Sequence, residues 1–100
     1  MNPMQMMQKA QQMQKALQTV QEQLGSLTVE GQAGGGMVKV VMTGKNEVRT
    51  ITIDPSVIDP TDRDTLQDLV LTAVNDAVKK AAFLAEGEMK KVTGGLGLPF

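Results

Sequence analysis

Six lysines, Lys9, Lys15, Lys79, Lys80, Lys90 and Lys91, carry the chemistry most readily assigned in this sequence, as point charges able to meet phosphate oxygens. Their setting matters more than the net charge of −1. Residues 1–21 hold Lys9 and Lys15 and no acid, whereas residues 54–76 hold six aspartates against Arg63 alone. Glu86 and Glu88 then accompany the last lysines, with Asp76 to Lys80 and Glu86 to Lys90 at helix-pair spacing. These lysines read either as a solvated face complementing a helix C-terminus or as a phosphate-contacting patch.

Other chemistries find fewer supports. The chain has no histidine and no cysteine, which removes the commonest general base, metal ligands and thiolate nucleophile, so catalysis has no candidate residues. Asp54, Asp59, Asp62, Asp64 and Asp68 do not have the spacing of a calcium loop, and three of them suit a helix start. Gly34-Gly35-Gly36 joins two strands rather than a strand and a helix, so it reads as a turn and not a phosphate cradle. Gly44-Lys45 is followed by Asn46 where a phosphate loop needs Ser or Thr. With Phe83 and Phe100 as the only aromatics, a base-stacking platform for single strands is not expected. No cofactor, metal or small-molecule substrate is implied.

The elements that position the lysines follow from periodicity. Met6, Ala10, Met13, Leu17, Val20, Leu24 and Leu27 alternate steps of four and three, a heptad stripe on a glutamine-rich helix expected over residues 3–25. The stripe serves either the domain's own core or another chain, and a helix of this length overhangs a 100-residue globule, so its far half is expected to meet a second copy. Leu27–Ala33, Met37–Thr43 and Val48–Ile53 have strand character, linked by Gly34-Gly35-Gly36 and Gly44-Lys45-Asn46-Glu47, where glycine would supply the positive φ of a hairpin. Val38, Val40 and Met42 share one face. After two Asp-Pro steps, Thr61 with Asp64 matches a capping box, and an apolar face continues from Leu66 to about Val92 until Gly94-Gly95. The expected fold class is α+β in the order α-β-β-β-α, one domain over 1–94 with a tail over 95–100. No stretch is a membrane span and the N-terminus is not a signal peptide, which points to the cytoplasm.

This order of elements, with Gly31, Gly34 and Gly36, the Val38-Lys39-Val40 strand, Gly44, Ile53-Asp54-Pro55, Leu66-Gln67-Asp68-Leu69, Ala73-Val74-Asn75-Asp76-Ala77 and Met89 through Thr93-Gly94-Gly95-Leu96, resembles the YbaB/EbfC family of nucleoid-associated proteins. The resemblance implies a tweezer-like homodimer joined largely through its sheets, located on the bacterial nucleoid and coating or reshaping DNA. The residues themselves imply duplex binding with little base preference, since the cations are mainly lysines and no arginine-rich recognition helix is present. Expected site residues are therefore Lys9, Lys15, Lys79, Lys80, Lys90 and Lys91 for DNA, with Met13, Leu17, Val20, Leu24, Val38, Val40 and Met42 for packing or dimerisation. The alternative is a protein-interaction adaptor whose stripe docks a partner helix and whose association with DNA or RNA is indirect.

Overall fold

The computed structural model describes residues 2–95, in the order α1 (Pro3–Leu24), β1 (Thr28–Ala33), β2 (Val38–Thr43), β3 (Val48–Ile53), a single 3-10 turn (Pro55–Val57) and α2 (Arg63–Gly95). The expected α+β order and antiparallel meander are present, with strand order β1-β2-β3. Helix α2 runs through Gly94 to Gly95, and the rest of the expected tail lies outside the described residues.

The core is a sheet face against one helix. Val38, Val40 and Met42 on β2 and Ala33 on β1 pack on Ala73, Ala77 and Ala81 of α2, all buried. Spacing of four places the three alanines on one stripe, and their small size lets α2 lie close to the sheet. Gly31 is where the two touch: a β-carbon there would overlap the Ala73 carbonyl oxygen and the Ala77 backbone nitrogen, and stand 2.7 Å from the Ala77 Cβ.

Helix α2 packs across β1 and β2 and leaves β3 open. By register Ile51 and Ile53 share the helix-facing side with Val40 and Val38, yet Ile51 is 47% exposed. Ile53, Leu66, Val70, Leu71 and Val74 line an open apolar trough beside this strand.

The opposite edge of the sheet is closed by side chains rather than by a strand. Asp76 Oδ2 accepts from the Gln32 backbone N–H at 3.0 Å, Lys80 Nζ donates to the Glu30 carbonyl at 2.9 Å, and the two side chains pair at 3.0 Å. Two outward backbone groups at the middle of β1, the Gln32 N–H and the Glu30 carbonyl, are thereby occupied, which makes this edge a poorer template for another strand.

Two local expectations are corrected. The positive φ of the β2–β3 turn falls on Asn46 (φ 66), and Gly44 is required instead because a β-carbon would sit 2.8 Å from Leu24 Cδ2 and 2.9 Å from the Leu24 carbonyl. The residue capping α2 is Asp62, which accepts from the Thr65 N–H and hydroxyl, whereas Thr61 is held by the Asp59 carboxylate in a turn of its own. The α1 cap is Asn2, accepting from the Gln5 N–H at 2.7 Å ahead of Pro3.

Candidate nucleic-acid interface

Both helices outrun the sheet, and Lys9, Lys15, Lys90 and Lys91 ride on the parts that do, while Lys79 and Lys80 come before the overhang of α2, Lys80 at the edge of β1. Helix α1 ends at the sheet, where the Gly44 N–H donates to the Leu24 carbonyl and Arg49 to the Gly25 carbonyl. Helix α2 crosses β1 from Leu69 beside Gly34 to Lys80 beside Glu30 and then continues past the same end. At 1.5 Å per residue, Lys15 and Lys90 stand about 13 Å beyond the last sheet-packed residues of their helices, and Lys9 about 22 Å. The molecule is accordingly elongated, 70 × 21 × 16 Å.

The stripe on α1 is covered in a gradient. Val20 and Leu24 are buried, Met13 and Leu17 half-buried, and Ala10 and Met6 exposed. Helix α1 packs on α2, whose half-buried Leu84, Ala85, Glu88, Met89 and Val92 recur at helical spacing along its overhanging part. Of the expected packing set, Val38, Val40 and Met42 lie in this chain's own core.

Each lysine has its own circumstances. Lys9 and Lys15 are exposed on a helix whose first acid is Glu22, beside Gln5, Gln8, Gln11 and Gln12, which line two shallow polar clefts. Lys79 is exposed. Lys80 is engaged at the β1 edge. Lys90 pairs with Glu86 at 3.4 Å and Lys91 with Glu88 at 3.1 Å, both with three-quarters of the lysine side chain in solvent; the first pair is exposed on both sides and so contributes little in water, whereas the Glu88 side chain is largely covered. Lys45 and Arg49 lie at the C-terminal end of α1, where cations suit the helix dipole. For Arg49 that placement was hidden in the sequence, because Arg49 is the residue passed over where the β2–β3 register shifts between Val41 and Met42.

Five aspartates, Asp54, Asp59, Asp62, Asp64 and Asp68, gather at the other end. Asp54 accepts from the Ser56 N–H at 2.8 Å and Asp59 from the Thr61 hydroxyl and N–H at 2.7 and 2.9 Å. These bonds favour the ionised form and hold both carboxyls below their ordinary values, chiefly through the Ser56 backbone bond for Asp54 and the Thr61 hydroxyl for Asp59. Among the described residues no three carboxylates converge closely enough to hold a metal ion, and no helix is long and apolar enough to cross a membrane.

Asp76 is also held below the ordinary carboxylate value, first by the Gln32 N–H and then by Lys80. Its charge therefore stabilises the fold at neutral pH, and that contribution is lost as pH falls from about 4 through the lowered value. Asp76→Asn is expected to melt below the parent at pH 7, with the gap closing as acid protonates the parent's Asp76. Thermal melts followed by circular dichroism from pH 7 to 3 check this; a gap that is constant with pH would show that the charge contributes nothing.

The YbaB/EbfC DNA-binding family matches this chain over residues 1–96. A protein of Chloroflexus aggregans named nucleoid-associated protein is 57% identical over 96 residues, 96% of each chain. One of the same name from Ruminiclostridium cellulolyticum is 51% identical over 92 residues, 92% of this chain and 80% of its own. Among solved structures, an uncharacterized protein of Helicobacter pylori superposes with a TM-score of 0.71 at 24% identity over 96% of this chain and 97% of that one, a likeness of fold. A match over nearly the full length means that this chain, with its helix–meander–helix order, belongs to the YbaB/EbfC DNA-binding family.

Proposed function

We propose that this protein is a nucleoid-associated DNA-binding protein that works as a homodimer, contacts duplex DNA through the projecting helices with little base preference, and alters the path of the duplex. The observation that carries the reading is the segregation of charge along the fold: α1 offers Lys9 and Lys15 with no acid before Glu22, while the aspartates lie around the start of α2. Lysines on the overhanging parts approach a phosphate backbone without bringing the acidic pole near it, and lysine contacts read charge rather than sequence. Lys79, Lys90 and Lys91 extend the set along α2; Lys80 joins it only by leaving the β1 edge. The relatives' name, nucleoid-associated protein, supports the same reading; on it the protein works on the bacterial nucleoid in the cytoplasm and contributes to chromosome organisation, gene regulation and DNA protection. The protein is not an enzyme and takes no small-molecule substrate on this reading. A mobility-shift titration with several duplexes of unrelated sequence tests it: similar affinity for all is expected, and binding to none, or to a protein partner instead, would favour the adaptor.

The dimer face is the trough of Ile53, Leu66, Val70, Leu71 and Val74 with the adjoining Ile51, an apolar surface beside the open strand β3. A lone domain gains nothing from exposing it, and a second copy offers the same surface in return. Leu71 is 59% exposed, so Leu71→Asp is expected to leave the helical circular dichroism intact while light scattering falls from twice the 10.7 kDa chain mass to the monomer's. An unchanged dimer would place the interface elsewhere.

A further inference from the structure

Phe83 is one of two aromatic residues in the chain and stands 80% exposed on α2. It lies opposite the helix face that carries Ala73, Ala77 and Ala81 into the core, so the fold makes no use of it. Its neighbours along the outward face are Lys79 one turn before, Gly87 one turn after and Lys90 two turns after, with Lys80 at the flank. Asp76 and Glu86 on that side are held by Lys80 and Lys90 at 3.0 and 3.4 Å, which leaves the face with one net positive charge.

Gly87 is a second, independent oddity. Glycine inside a helix is unfavourable relative to alanine, and a β-carbon at Gly87 would meet nothing within 4 Å, so the protein's own packing gives no reason for it. Its effect is to bare the helix backbone beside Phe83, where another molecule can approach closely. Architectural proteins that bind the minor groove combine basic contacts with an inserted apolar side chain that unstacks a base step, and Phe83 with Lys79 and Lys90 supplies both kinds of group on one helix face.

We propose that Phe83 is such a wedge: it inserts at a base step of duplex DNA while Lys79 and Lys90, on either side of it along the helix, meet the flanking phosphates. The inference rests on the DNA-binding reading and adds a mechanism for reshaping the duplex. It predicts a preference for steps that unstack easily, the pyrimidine–purine steps, without base readout.

The test uses the full chain and a duplex carrying 2-aminopurine at a central TA step, with end-labelled duplex for bending by energy transfer. The parent is expected to raise the 2-aminopurine fluorescence severalfold and to shorten the end-to-end distance. Phe83→Ala should abolish both signals and weaken affinity about tenfold, the scale of one lost base contact, with the salt slope unchanged; Phe83→Leu should keep most of both, since leucine also wedges. Because Phe83 is exposed, both variants should match the parent's circular dichroism. Binding by the parent with no unstacking, or equal signals from Phe83→Ala, overturns the wedge alone. A Phe83→Ala protein that becomes monomeric would show that this face holds a second copy and also overturns it. Failure of the parent to bind any duplex overturns the wedge together with the DNA-binding reading.

Discussion

Gly31→Ala is expected to be among the most damaging single-methyl changes in this fold, lowering stability by about 3 kcal/mol, the upper range for overpacking a core. The added carbon would overlap backbone atoms of Ala73 and Ala77 rather than the end of a flexible side chain, so relief requires moving α2 off β1. That movement would also pull Asp76 and Lys80 from the β1 edge, reopening it for association with other strands. Urea unfolding measures the loss, and aggregation of the variant above its melting midpoint would be its second sign. A variant as stable as the parent would show that α2 does not lie on β1 as described.

The second large effect concerns the arms. Lys9→Glu with Lys15→Glu puts two anions where α1 has two exposed cations and no acid nearby, so affinity for every duplex should fall by more than tenfold near 0.1 M salt. The slope of log affinity against log salt should flatten by about 2 to 4 if these lysines touch phosphate in both protomers. Helix content and dimer mass should not change, because both side chains are exposed. Lys39, exposed on β2, and Lys45, beside the C-terminus of α1, serve as controls whose replacement should matter less. Full affinity in the arm variant, with loss in the controls, would place the DNA against the sheet.

The elements were legible because each has a period of its own. The stripe from Met6 to Leu24 marks α1, alternation marks the Val38 to Met42 face, and the glycine turn at Gly34 to Gly36 does take positive φ throughout. What escaped depends on which surfaces meet. Gly31 reads as an ordinary strand glycine until α2 is known to cross it. Asp76 and Lys80 read as a helical ion pair, which they form, but their duty at β1 depends on residues 44 to 50 positions away. Gly44 and Asn46 compete for the same turn, and only the nearness of Leu24 decides which needs to be glycine. Thr61 lost the cap of α2 because Asp59, two residues earlier, satisfies it locally.

The candidate site was legible in part for the same reason. Charge segregation is a property of the chain and is read directly, which is why Lys9 and Lys15 stand out from the sequence as an acid-free pair of candidates. The engagement of Lys80 and the exposure of Phe83 are properties of the packed helix and could not. Ile51 and Ile53 alternate as a half-buried strand should, and only the placement of α2 over β1 and β2 shows that their face is left open.

On the proposed reading the overhanging helices bind duplex DNA through phosphate contacts. It is tested most directly by the parent protein's affinity for one duplex, followed by fluorescence anisotropy as salt is raised. With roughly 4 to 8 phosphates neutralised per dimer, log affinity should fall against log salt with a slope of about −4 to −7. A slope near zero, or no measurable binding at low salt, would contradict it.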